Sequence, residues 1–187
     1  MEHDSGVSAV RAGWIVAVVL LLAACSRTAG TQASAADPVP ATAISSDPPS
    51  GHPLGQAVDA DHSFMQVTVY EYRQPVAQGA PAPNPGDYTW GAADVQTCAS
   101  AALIFDASVS SVRWMLVYAD QTEVQSARVT HAQFPKPRYP VTQRTLKPGE
   151  CVRGWIVFPV PAGAEPALIR YTPVGAPPVD WTATPAG

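Results

Sequence analysis

The chain has 187 residues, a formal net charge of −4 and an isoelectric point near 5.4. This acidic balance excludes a globally basic nucleic-acid-binding protein, so we expect no nucleic-acid partner. The length suits one domain together with a terminal extension.

An apolar run precedes the first cysteine. It extends from about Gly13 to Ala24 and ends in the tetrapeptide Leu22-Ala23-Ala24-Cys25. About 12 residues are too few for a membrane-spanning helix, which needs about 20, but they suit the apolar region of a secretory signal peptide. An apolar run, two small residues and a cysteine resemble the lipobox of bacterial lipoproteins. We therefore expect residues 1–24 to be removed and Cys25 to carry lipid on the extracytoplasmic face of the cell membrane.

The segment after Cys25 predicts a tether. Residues 25–62 contain Ala, Ser, Thr, Gly and five prolines but almost no large apolar side chain. Such a segment cannot bury enough surface to offset the entropy lost on ordering. The sequence therefore predicts a disordered tether over 25–62 and a folded domain over 63–187.

Short alternating segments follow, divided by Pro and Gly. They predict strands over residues 64–72, 93–99, 112–118, 123–124, 152–158 and 167–172. The Pro-rich segment 79–86 predicts a surface loop, and Pro148-Gly149 favours a type II turn. Strands at regular spacing, with no convincing amphipathic helix, predict an all-β, immunoglobulin-like antiparallel β-sandwich of about seven strands.

Two cysteines remain in the predicted domain. Cys98 and Cys151 form an even pair in a chain with an export signal, which favours a disulfide bond. The alternatives are a metal site or a reactive thiol. The surroundings of the two cysteines lack the neighbouring Cys or His ligands of a metal site, so we expect no metal ion. Each cysteine lies on the polar side of its strand pattern. The bridge is therefore expected at the periphery of the domain and outside its core.

Two segments resemble a known family. Residues 146–158 contain an L-x-P-G-x turn leading into a strand of G-W-x-x-F type, and residues 168–173 follow it. They resemble the telokin-like, immunoglobulin-fold domains of unknown function that many bacterial, especially actinobacterial, lipoproteins carry. The resemblance covers about residues 63–183. It implies an immunoglobulin fold and no common chemistry, and Asp120-Gln121 stands where relatives often carry Asp-Gly.

Candidate catalytic residues are few. There is no G-x-S-x-G nucleophile motif. His3 lies in the signal peptide and His52 in the tether, His62 begins the domain, and only His131 lies within it. The carboxylates fall at strand ends and turns, where acidic residues are ordinary. We therefore expect no catalytic residue, no cofactor and no enzymatic activity.

Positive charge is concentrated in one stretch. Between Arg128 and Arg153 there are six cations and a single anion, Glu150. Within it, alternating prolines pre-extend the segment 134–140 towards polyproline II. We predict an exposed binding loop whose contact residues are Phe134, Lys136, Arg138 and Tyr139. Its ligand would be an anionic wall polymer, a lipid headgroup or an acidic protein. The alternative is a solvated loop whose aromatic side chains fold back on the sheet.

These features predict a lipid-anchored cell-envelope protein with a non-catalytic binding domain. One alternative is an inhibitor or accessory subunit of an envelope enzyme or transporter, in which the proline-rich loop enters a partner's cleft. Another is a structural spacer lipoprotein. The membrane, reached through Cys25, is the partner that the motif itself implies.

Overall fold

Strands make up nearly all of the regular structure. The computed structural model describes residues 50–83 and 86–184. These residues contain ten strands: β1 (Ala57–Ala60), β2 (Met65–Val76), β3 (Tyr88–Ala99), β4 (Ala107–Val109), β5 (Trp114–Val117), β6 (Glu123–Gln125), β7 (Arg144–Leu146), β8 (Cys151–Pro161), β9 (Leu168–Tyr171) and β10 (Val179–Thr182). One 3-10 turn, Ser111–Arg113, precedes β5. The described residues include no α-helix and thus no helix able to cross a membrane. The predicted signal peptide, Cys25 and most of the tether lie outside them.

Two four-stranded sheets form the sandwich. The first sheet has the order β1-β2-β3-β8 and the second has the order β10-β9-β5-β6, while β4 and β7 form a separate pair. Every pairing between these strands is antiparallel. The predicted all-β antiparallel sandwich is confirmed. The described residues contain ten strands, where the sequence predicted about seven.

The alternation read from the sequence determines which side chains face the core. Val95 and Thr97 of β3 are fully buried, and β8 likewise buries Ile156 and Phe158. The intervening side chain, Arg153, points to the outer face of the first sheet and is exposed. Because successive side chains of a strand point to opposite faces, one register decides the environment of every residue.

Aromatic rings fill the space between the sheets. Trp114 of β5 has its ring centroid 5.0 Å from that of Tyr171 on β9 and 6.1 Å from that of Trp181 on β10. Trp114 and Trp181 are fully buried. The indole N–H of Trp181 donates a hydrogen bond of 3.0 Å to the backbone oxygen of Gln56. The aromatic core therefore also holds the segment that leads into β1.

The folded domain begins earlier than the sequence predicted. β1 lies within the predicted tether, yet it pairs with β2 from Ala57 opposite Thr68 to Ala60 opposite Met65. His52 is also joined to β10 by a parallel bridge to Trp181. The boundary at residue 63 is thus wrong: residues 50–62 are part of the sandwich. The backbone of a small-residue segment can complete a sheet edge even where its side chains carry little apolar surface.

Two turns show how the strands end. Gly149 has a φ of +78°, which suits the expected type II turn at Pro148-Gly149. Gln121 takes a φ of +68°, a left-handed conformation that glycine adopts more readily than other residues. The backbone N–H of Thr122 donates a 2.9 Å hydrogen bond to the Asp120 carboxylate. This bond lowers the pKa of Asp120 and holds the tight turn between β5 and β6.

A chain that begins at residue 63 tests the corrected boundary. It lacks β1 and leaves the indole N–H of Trp181 without its acceptor. We expect its free energy of unfolding to fall by about 3 kcal/mol, since a buried donor without a partner and a lost edge strand both destabilise. Urea denaturation measures this, with a chain beginning at residue 45 as the control. Equal unfolding midpoints for the two chains would contradict the assignment.

Candidate binding surface

The proline-rich loop lies along the edge of β8. The N–H of Tyr139 donates to the Trp155 oxygen (3.1 Å), and the N–H of Trp155 donates to the Pro137 oxygen (2.9 Å). Arg138 forms a parallel bridge with Trp155. Gly154 permits this approach, because a Cβ atom there would lie 2.5 Å from the carbonyl carbon of Arg138. The loop therefore acts as an added edge segment and does not project from the domain.

Phe134 is not available to a ligand. The sequence placed it on the surface of the binding loop, but its side chain is only 4% exposed. It packs edge-to-face on Trp90, with 5.0 Å between ring centroids, and belongs to a second apolar cluster with Ala92 and Val157 on the outer face of the first sheet. Burying the apolar ring of Phe134 against other apolar side chains is more favourable in free energy than leaving it exposed to water in an open loop.

Tyr139 is buried as well, at 2% exposure, and it faces the main core. Its hydroxyl donates a 2.8 Å hydrogen bond to Oγ1 of Thr97, and its ring lies edge-on to Trp114. Burial raises the pKa of Tyr139, so the hydroxyl stays neutral at physiological pH. Phe134 and Tyr139 are therefore not the exposed contact residues that the sequence predicted, because both aromatic side chains fold back on the domain.

The two cations of the loop remain exposed. Arg138 donates a 2.7 Å hydrogen bond through Nη2 to the backbone oxygen of His131, which fixes its direction. Lys136 is exposed and forms no ion pair within the described parts of the chain. The buried rings of Phe134 and Tyr139 thus hold the backbone on both sides of the two cations, whose positive charges face solvent.

Ion pairs reduce the positive charge that the sequence concentrates here. Arg153 binds Asp94 with 2.7 Å between Nη2 and Oδ2, and Arg144 binds Glu150 at 2.9 Å. The hydrogen bond to Asp94 raises the pKa of Arg153. Of the six cations in the stretch, the four outside these pairs are Arg128, Lys136, Arg138 and Lys147.

An outer-face row of stacked cations and aromatic rings adjoins the loop. The Arg153 guanidinium lies 3.9 Å from the centroid of the Tyr70 ring, and that of Arg73 lies 5.1 Å from the centroid of the Trp155 ring. Sequence reasoning missed this row, although strand alternation places Arg153 and Trp155 on one face. Together with Lys136 and Arg138, the row forms the candidate binding surface.

The predicted disulfide bond is present. Cys98 and Cys151 lie directly opposite each other on β3 and β8, with Cα atoms 4.0 Å apart. Both strands belong to the first sheet, so the bond does not link the two sheets as in an antibody domain. Cys151 is exposed and Cys98 is partly exposed, which confirms the expected peripheral position.

Cavities in the described residues are small or open. The space beneath the loop, between Phe134, Tyr139 and Ile156, has a volume of about 20 Å³, enough for one water molecule. A shallow cleft of about 290 Å³ beside Gln74 contains one carboxylate, Glu165. Residues 50–83 and 86–184 hold no group of three His, Cys, Asp or Glu residues suited to a metal ion.

The chain resembles solved structures in fold. No family model matches it, and no curated protein is significantly similar. The secreted protein MPT63 from Mycobacterium tuberculosis is 15% identical, with a TM-score of 0.51 over 72% of this chain and 97% of that chain. The yjhA protein from Bacillus subtilis is 14% identical, with a TM-score of 0.52 over 71% of this chain and 99% of that one.

These likenesses define the class of fold. The described domain is an antiparallel β-sandwich of the kind seen in MPT63 and the yjhA protein. At such low identity the likeness extends to the fold alone, since one fold hosts many functions. Membership of the telokin-like family stays a prediction.

Tyr139→Phe tests whether the loop is anchored through the core. The substitution leaves the buried Thr97 hydroxyl without its partner, so we expect the free energy of unfolding to fall by about 1–2 kcal/mol. Tyr88→Phe is the matched control, because Tyr88 is exposed, and its effect should stay within about 0.5 kcal/mol. Urea denaturation followed by tryptophan fluorescence gives both values. Equal effects of the two substitutions would argue against the anchor.

Proposed function

We propose that this protein is a lipid-anchored, non-catalytic binding protein of the bacterial cell envelope. The lipobox-like Leu22-Ala23-Ala24-Cys25 supports the anchor. The Cys98–Cys151 disulfide supports an exported protein, because such bonds persist in oxidising compartments. The fold shared with a secreted protein agrees with this location.

The anchor is tested by metabolic labelling with a palmitate analogue in a bacterial host. We expect the mature chain to carry the label and to sediment with membranes. A Cys25→Ser chain should carry none and should retain its signal peptide, since the sulfur that accepts the diacylglycerol is gone. An unlabelled wild-type chain in the cytosolic fraction would refute the anchor.

The exposed pair Lys136 and Arg138 carries the proposed binding role. Both cations lie on a backbone that is fixed by the hydrogen bonds to β8, so little backbone conformational entropy is lost when a ligand binds. Trp155 beside them adds apolar contact area. Flat surfaces of this kind suit extended ligands whose negative charges repeat.

We favour an anionic polymer of the envelope as the ligand. The two arginines of the outer-face row are paired with Glu71 and Asp94, so Lys136 and Arg138 supply the charge that an anionic ligand meets. A polymer can contact these two cations while it lies along the neighbouring aromatic rings, and it needs no deep cavity. The alternative inhibitor role requires the loop to enter a partner's cleft. The loop lies flat on β8, with Phe134 and Tyr139 turned inward. This geometry favours binding of a polymer over insertion of the loop into a partner's cleft.

Lys136→Glu tests the binding surface. We expect its co-sedimentation with purified cell-wall sacculi to weaken about fivefold, since reversing an exposed charge contact removes on the order of 1 kcal/mol. Lys147→Glu makes the same change in net charge on the turn before β8 and serves as the control. Sacculi stripped of anionic polymer by acid extraction should bind neither the wild-type chain nor the Lys136→Glu variant. Equal losses for the two variants, or no loss for Lys136→Glu, would contradict the site.

A further inference from the structure

Exposed apolar side chains collect at one end of the sandwich. Eight large hydrophobic side chains are exposed in the described residues, and five of them lie in loops or in the 3-10 turn at this end. We call it the apolar end and define it by Phe64, Ile104, Phe105, Val112 and Val174. Single exposed hydrophobic residues are ordinary on proteins, whereas a group of them marks an interaction surface.

Loops of the first sheet place three of these side chains together. Phe64 precedes β2, and Ile104 and Phe105 lie between β3 and β4. The Phe64 and Phe105 rings meet edge-on with 5.7 Å between centroids, and the N–H of Ser100 donates a 2.9 Å hydrogen bond to the Phe64 oxygen. The two loops therefore form one surface.

Loops of the second sheet reach the same end. His62, two residues before Phe64, has its Nε2 atom 3.3 Å from the Gly175 oxygen in the loop between β9 and β10. That loop contains Val174. The N–H of Thr172 donates to the oxygen of Arg113, at the end of the 3-10 turn that contains Val112.

Ile104 is the most exposed of the apolar side chains at this end. Its exposed fraction is 96% and that of Phe105 is 53%, while the preceding Leu103 is buried at 8%. Leu103 thus anchors the loop, and the next two apolar side chains are held in solvent. Water is an unfavourable environment for adjacent apolar side chains, so this geometry favours contact with another apolar phase.

The chain enters the domain at the apolar end. The N–H of His52 donates to the Asp180 oxygen (2.8 Å), and the N–H of Thr182 donates to the His52 oxygen (2.9 Å). This pairing with β10 is parallel. Ser50 consequently lies beside Pro178, just before the start of β10, where the apolar loop between β9 and β10 ends.

We propose that the apolar end docks on the lipid surface of the membrane, with Ile104 and Phe105 in the interfacial layer. This inference rests on the proposed lipid at Cys25, because the lipid brings a bilayer to the end where the chain enters. Ser50 follows Cys25 by 25 positions in sequence, which limits their separation to at most about 85 Å even for a fully extended chain. A lipid at Cys25 therefore keeps the domain close enough to the bilayer surface for contact.

The charges at this end favour apolar over electrostatic binding. The loops carry three anions and two cations, and Arg144 pairs with one of the anions, Glu150. The positive and negative charges therefore balance; the residues counted are Asp61, Asp106, Glu150, Arg113, Lys147 and Arg144. A polybasic surface would select anionic lipids, whereas a balanced one gains little from them. Docking is therefore expected on zwitterionic phosphatidylcholine as well as on anionic vesicles.

Tryptophan probes test the orientation. The mature chain from Cys25 is coupled through that thiol to maleimide lipid in phosphatidylcholine vesicles whose acyl chains carry bromine, which quenches tryptophan on contact. One variant carries Ile104→Trp. The matched control carries Tyr88→Trp, an exposed position at the far end of β3, about 36 Å along the strand from Ala99.

We expect Ile104→Trp to be quenched at least about twofold more than Tyr88→Trp, each corrected for the wild-type chain, because only the former reaches the acyl boundary. Equal quenching of the two probes, or none at Ile104→Trp, overturns docking and leaves a protein partner or a second copy as the occupant. Chemical coupling makes this result independent of natural lipidation. A failed palmitate label would refute the anchor, and it would leave the quenching readout unaffected.

Discussion

The other parts of the sandwich depend on the aromatic contacts of Trp114. Its fully buried indole meets Tyr171 and Trp181 of the second sheet and Tyr139 of the proline-rich loop. Trp181 in turn holds the segment before β1 through Gln56. Aromatic rings bury large areas, and edge-on or offset contacts between them add stability beyond burial. The second sheet, the loop and the entry segment are therefore fixed at one point.

This arrangement couples the binding surface to the core. Tyr139 belongs to the aromatic core, while Arg138 next to it belongs to the surface. Phe134 plays the same anchoring role on the outer face, against Trp90. Substitutions of the inward side chains would change folding and binding together. Substitution of Lys136 separates the two, because its exposed side chain contributes little to the core.

Most of the fold was predicted from the alternation of apolar and polar residues and from the turn residues between the strands. The six predicted strands correspond to β2, β3, β5, β6, β8 and β9, because a period of two distinguishes the buried and exposed faces of a strand. The same parity put Cys98 and Cys151 at the periphery. The three-residue strands β4 and β7 are too short to show a period. β1 was not predicted, because the contacts that order it are with other segments. These contacts are its pairing with β2 and the hydrogen bond from Trp181 to Gln56, just before β1.

The surface was harder to predict than the fold. A sequence of alternating prolines and cations indicates an extended loop, but it does not say where Phe134 finds an apolar partner. That depends on Trp90 and Val157, which create a second apolar cluster on the face that alternation assigns to solvent. The residues of the apolar end are still further apart in sequence, since the loops that carry Phe64 and Val174 meet only when the two sheets pack.

The geometry of β8 relates the two proposed contacts to each other. Cys151, at the apolar end, and Trp155, beside Arg138, are four residues apart on one strand, a distance of about 13 Å. With Ile104 on the lipid and β8 along the bilayer normal, the backbone of the loop would stand about that far above the bilayer surface. This exceeds the Debye length of about 8 Å at physiological ionic strength, so the charge of lipid headgroups is largely screened there. The sequence left an anionic polymer, a headgroup and an acidic protein open as ligands. An upright domain favours the polymer over the headgroup, because the cations then face the layer above the membrane.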